Sequence, residues 1–162
     1  MILHILHVPI SLPREDHKPS GTYIVDLFNL LNQSHKVGLI HLHPRYLAKI
    51  NKFPFIKIKG KLYYKNFPSN KEFLTKEKFY FKPISRRNSK NWVNDMYNLF
   101  IKYIEENGKP DLIHCHSGRG AGEVALKINR NFSIPYIVME HNPVFLKGNL
   151  TSDEIKRLES VY

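Results

Sequence analysis

The chain has 162 residues, a single cysteine and a formal net charge of +11 at neutral pH. That length holds one domain with a real core but not comfortably two, and one cysteine excludes an internal disulfide, which fits a reducing compartment. No run approaches the roughly 18 uninterrupted apolar residues that a membrane-crossing helix needs.

The opening "MILHILHVPI" has neither the basic flank nor the small-residue cleavage site of a secretory signal, and it carries two histidines. Ile2 to Val8 therefore reads as a buried strand, and the expected address is the cytoplasm. The polar loop "SLPREDHKPSG" follows, with Ser20 a candidate N-cap for a helix from Gly21 to about Gln33. Ile24, Phe28 and Leu31 line one face of that helix, with Val25 and Leu27 alongside. "HKVGLIHLH" is a second strand. From Arg45 to Arg87 the pattern loosens. "FPFIKIKGKLYY" alternates with period two, which suggests a hairpin around Gly60, and "KFYFKPI" suggests another extended piece.

Trp92, Met96, Leu99 and Tyr103, with Phe100 and Ile104, then recur at helical spacing in "NSKNWVNDMYNLFIKYIEENG", which Gly108 and Pro110 close. After it, Asp111 to His116 reads as a strand, Gly118 to Asn131 as a helix and Pro135 to Glu140 as a strand. Thr151 opens a last helix in which Thr151 and Glu154 form a capping box. Strands alternating with helices imply an α/β fold, a Rossmann-like open parallel sheet with helices on both faces, in one domain over residues 1–162. The stop at Tyr162, inside a fresh helix, suggests an excised half of something longer.

The charge is not spread evenly. Between Pro44 and Lys90, fourteen basic residues face only Glu72 and Glu77, so the whole excess belongs to one insert-like segment at about 44–90. Such a segment is either a solvated polar surface or a patch that meets phosphate. Aromatics interleave with lysines in "KGKLYYKNF" and "KFYFKPI", as they do on surfaces that touch an anionic membrane or RNA, and equally on an edge strand. No recognition-helix or RNA-motif signature accompanies it.

In an open α/β sheet, ligands bind beyond the carboxyl ends of the strands. Those ends carry His7, His43, His116 and the pair Glu140 and His141. In "HCH", residues i and i+2 of a strand share a face, so His114 and His116 supply two ligands. With no second Cys/His cluster at suitable spacing, no metal site is expected. His114 is expected to be a buried, hydrogen-bonded core residue. Cys115 faces the other way as a small apolar filler without a partner for nucleophilic work. The turn "HSGRGAG" lets backbone N–H groups approach an anion at a helix N-terminus, with Arg119 as a charged clamp. Its G-x-G-x-G spacing and late position do not match a dinucleotide fingerprint. A held phosphate or sugar hydroxyl and a plain tight turn both remain open there. Glu140, His141 and Asn142, directly after an apolar strand, need water or a ligand, and a histidine there can serve as an acid or base.

Together, "KPSGTYIVDLFNLLNQSHKVGLI", "KPDLIHCHSGRGAGEVAL" and "IPYIVMEHN" resemble the N-terminal half of GT-B glycosyltransferases, most closely the retaining family 4 group. The resemblance covers about residues 1–40 and 109–162, while the basic middle matches nothing specific. It implies an acceptor-binding, Rossmann-like N-terminal domain, one half of a GT-B fold, whose donor-binding C-terminal partner domain is absent from this chain. It implies transfer of a sugar from a nucleotide-sugar donor to a glycan or lipid-linked acceptor, with no cofactor and no metal. By the same resemblance His141 sits near the transferred sugar as the catalytic residue. Gly21 matches the glycine loop near the donor phosphates, where the family often has two glycines and this chain has Ser20 first. His116 and Ser117 line the acceptor side. The basic segment would then meet a phosphorylated acceptor or the inner membrane face. The alternatives are a nucleic-acid- or anion-binding module built on residues 44–90, and a stand-alone flavodoxin-like binder of a small molecule.

Overall fold

A computed structural model describes residues 1–13, 21–46, 73–80, 86–141, 148 and 150–162. The proposed hairpin around Gly60, Ser20 and Asn142 lie outside the described residues. The elements run β1 (His4–Pro9), α1 (Thr22–Leu31), β2 (Lys36–Tyr46), β3 (Phe73–Tyr80), α2 (Arg86–Asn107), β4 (Leu112–His116), α3 (Glu123–Phe132), β5 (Tyr136–Val138) and α4 (Ser152–Glu159). The strands form one sheet in the order β3-β2-β1-β4-β5, and every pairing is parallel. This is the expected α/β, Rossmann-like arrangement.

Register explains which residues share a face. Ile5 pairs with Val37 and His7 with Leu39 on one side of β1, while His7 pairs with His114 and Val8 with Cys115 on the other. Side chains alternate across a strand, so Leu6, Val8, Ile113 and Cys115 point to one face and Ile5, His7, His114 and His116 to the other. The first face meets Met96, Leu99, Phe100 and Tyr103 of α2 and Val124, Ala125 and Ile128 of α3 in the main core. Burying side chains of this size stabilises the fold by about 1.5–3 kcal/mol each. The second face is covered over β1 and β2 by α1, where Ile24 and Phe28 join Leu12, Val37 and Leu39. Over β5 that face is open, and Ile137 is 49% exposed.

Central β1 is buried along its whole length, as expected of a parallel strand covered on both faces. Its start is pinned to β4 by Asp111, whose N–H donates to the His4 carbonyl and whose carboxylate accepts from the His4 N–H, both at 2.8 Å. His4, on the α2 face, is satisfied by the Tyr103 hydroxyl at 2.7 Å.

Several expected boundaries move. The first helix begins at Thr22 and is preceded by Gly21 at φ 76° with no side-chain cap. That left-handed value favours glycine, and a β-carbon there would stand 2.6 Å from the Ser11 carbonyl oxygen. The helix expected from Gly118 starts only at Glu123. Residues 118–122 form an irregular π-type turn in which Arg119 (ψ 123°) and Gly120 (φ 78°) are not helical. The strand expected over Pro135–Glu140 narrows to three residues. Of the extended piece expected at "KFYFKPI", Lys78 to Tyr80 close β3, which pairs with β2, and the rest lies outside the described residues. The last helix does not run to Tyr162, since α4 closes at Glu159. Among the described residues no helix is long and apolar enough to cross a membrane.

Candidate functional site

The strand order reverses direction between β1 and β4, because β1 leads to β2 on one side and the chain returns to β4 on the other. At such a switch point the loops leave in opposite directions and open a crevice at the carboxyl ends. Both flanking strands end in histidine-bearing segments on the same face. Pairing of His7 with His114, and of Pro9 with His116, stacks three imidazoles there. Ring centroids lie 5.0 Å apart for His7 and His114, 4.5 Å for His114 and His116, and 5.2 Å for His7 and His116. His7 Nδ1 and His116 Nε2 share a hydrogen bond of 2.9 Å. All three rings are buried.

Burial first, and then the neighbouring imidazoles, hold these groups in the neutral form. His7 is held well below the ordinary histidine value, His114 is lowered, and His116 is pushed down to about 3. A neutral imidazole has one N–H and one bare lone pair. Yet His7 Nε2, His114 Nε2 and His116 Nδ1 are buried with no hydrogen-bond partner. His114 was expected to be a hydrogen-bonded core residue, and its Nε2 is not.

Above this floor sits a more open rim. His141 is exposed and stacks at 14° on His116, with centroids 6.0 Å apart. Its other neighbour is Tyr23 of α1, 4.2 Å away. Glu140 is held by three donors: Ser117 Oγ at 3.3 Å, the Gly118 N–H at 2.8 Å and the Tyr162 hydroxyl at 3.1 Å. Burial first, and then the bond to Glu140 and its charge, push the Tyr162 phenol up to about 12, and Tyr23 is raised by burial and by the Glu140 charge. Ser117 is fully buried and has φ 152°, a value that strains a residue with a β-carbon.

The glycine turn does not present an empty anion cradle. The Gly118 N–H donates to Glu140 and the Gly120 N–H to Glu123 at 3.1 Å. The chain's own carboxylates occupy the positions where a bound anion would sit. Arg119, expected as a clamp on an anion, pairs instead with Glu154 of α4 at 2.6 Å. Cys115 is buried in the main core, where burial pushes its thiol far up and its Sγ–H donates to the Ala121 carbonyl. It is a filler, as expected.

Of the residues named from the sequence, the fold brings together His116, Ser117, Glu140 and His141. His43 lies apart, beside His41 on β2, and Gly21 at the start of α1 packs against the Ser11–Leu12 backbone. Sequence reading missed the partnership of His7 with the "HCH" pair, and also Tyr23 and Tyr162. The first rests on a register between residues more than a hundred positions apart, and the tyrosines come from α1 and from the chain just after α4, whose docking no local pattern reveals. No protein-family model matches the chain, and no curated protein matches it.

Proposed function

We propose that the chain is the acceptor-binding N-terminal half of a retaining, GT-B, family 4-like glycosyltransferase, which transfers a sugar from a nucleotide-sugar donor to a glycan or lipid-linked acceptor. The observation that carries this reading is the polar crevice at the switch point between β1 and β4, where Glu140 and His141 stand exposed above Ser117 and His116.

Each part of the crevice suits a sugar. Glu140 accepts from a tyrosine hydroxyl, Tyr162, that an acceptor hydroxyl can replace at the same oxygen without leaving a bare carboxylate. Tyr23 and His141 offer ring faces at the entrance to the C–H face of a sugar ring. His141 is the group placed to handle a proton at the transferred sugar. This half would hold and orient the acceptor, and a donor domain would stabilise the departing diphosphate.

The test is an amide NMR titration of the chain with a panel of oligosaccharides, nucleotide sugars and flavin mononucleotide. Shifts at Ser117, Gly118, Glu140 and His141 with an oligosaccharide, and loss of binding in Glu140→Gln, are expected. A response to the flavin and to no glycan would sink the reading in favour of a flavodoxin-like binder.

A further inference from the structure

We propose that His7, His114 and His116 form a binding site for one divalent transition-metal ion of the zinc class, at the floor of the switch-point crevice. One ligand nitrogen from each ring lies within 4.8 Å of the other two. His7 Nδ1 and His116 Nε2 already stand 2.9 Å apart. Two imidazoles bound to a tetrahedral zinc at about 2.0–2.1 Å have nitrogens roughly 3.3 Å apart. The two rings therefore need to separate by only a few tenths of an ångström for an ion to take the place of the proton they share.

Unmet hydrogen bonding points the same way at the third ring. His114 Nε2 is buried without a partner, and native interiors rarely tolerate such an atom without a bound water or ion. An ion held between His7 Nδ1 and His116 Nε2 would meet that nitrogen, while His7 Nε2 and His116 Nδ1, the ring nitrogens outside the shared hydrogen bond, would stay as they are. His4, the other histidine of β1, differs in this respect because Tyr103 satisfies it. All-imidazole donors suit zinc, nickel and copper over magnesium or calcium, which take oxygen ligands. Three ligands also leave a fourth position for water or for His141, whose ring is the next in the stack. The rings are mounted on β1 and β4, the buried centre of the sheet, so the site is rigid where the rim above it is built from chain that follows β5.

This inference does not rest on the glycosyltransferase reading, since the ion would bind whether or not a sugar does. The experiment uses the whole chain, stripped with a chelator and titrated with Zn²⁺ and with Co²⁺. One ion per chain is expected, with a raised unfolding temperature, the visible absorption of tetrahedral cobalt and an X-ray absorption spectrum of three imidazole nitrogens. His7→Gln and His116→Gln, confirmed as folded by circular dichroism, should each weaken zinc binding at least tenfold. His35→Gln, outside the cluster, should leave it unchanged. The absorption spectrum needs no variant, so it decides even if the substituted chains fail to fold. Failure to bind stoichiometrically at micromolar protein overturns the site, and so does a bound ion that shows fewer than three imidazoles. Binding that persists in both cluster variants overturns it as well.

Discussion

A methyl group added at Gly38 would collide with the hydroxyl and ring of Tyr103, which is fully buried and holds His4. Neither can give way: the ring lies in the main core and Gly38 lies on β2 beside Leu6 of β1. Gly38→Ala should therefore lower stability by about 1–3 kcal/mol, the usual penalty for overfilling a packed interior, read from urea unfolding. A wild-type midpoint would show that the α2 face has slack. Gly118 makes the contrast. A methyl there meets the Tyr162 hydroxyl, the far end of a long side chain that is 68% exposed. Gly118→Ala should cost less than Gly38→Ala, because the atom in the way is the end of a flexible side chain and not a ring locked in the core, while it pulls Tyr162 off Glu140. The phenol would then titrate nearer its ordinary value, which ultraviolet difference spectroscopy can follow. If Tyr162 in that variant still ionised at about 12, burial alone would account for its shift and the Glu140 contact would not contribute.

Helix α4 shows how local signals become a tertiary contact. The Thr151 hydroxyl accepts from the Glu154 N–H, and the Glu154 carboxylate accepts from the Thr151 N–H at 3.0 Å. The same carboxylate meets Arg119 of the glycine turn. Thr151→Ala should cost about 1 kcal/mol, concentrated in faster amide exchange of Ser152–Glu159. The acid response follows from Glu154, which is held below the usual carboxylate range by the Thr151 backbone N–H first, with smaller help from the Thr151 hydroxyl, Arg119 and Arg157. Because its folded value is the depressed one, its contribution is complete above the unfolded carboxylate value of about 4.3. That contribution is lost as pH falls through the folded value. Exchange in α4 should accelerate over that acid window in the wild type and not in Glu154→Gln, which has no carboxylate to protonate; equal responses would exclude Glu154 as the cause. This capping box was legible in the sequence because donor and acceptor are three residues apart. The true start of α3 was not. Gly118 and Gly120 give their N–H groups to Glu140 and Glu123 in place of a helical ladder, and a partner twenty-two residues on leaves no local trace. The same logic divides the site. His116, Glu140 and His141 could be found as strand ends, but the third ring beside "HCH" required the β1–β4 register.

The whole sheet sets what can move. β1 sits at its centre, buried on both faces and hydrogen-bonded on both sides, and β4 shares its core. β5 has three residues, pairs only with β4 among the described residues, and leaves Ile137 open to solvent. Amides protected only by a short, half-covered ladder open locally, while central strands exchange through global unfolding. Hydrogen exchange should therefore rank β1 and β4 slowest, at one common opening free energy, with β5 faster by at least an order of magnitude. Glu140 and His141 follow directly on β5, so the rim inherits its mobility, while His7, His114 and His116 do not. This separation makes the two functional ideas distinguishable in one experiment. A glycan bound at Glu140 and His141 should slow exchange in β5 and hardly touch β1. Zinc bound at the histidine floor should slow β1 and β4 together, by cross-linking strands that must part for either to exchange. If β5 proved as protected as β1 in the free chain, the rim would already be rigid and a glycan could add nothing there by ordering it.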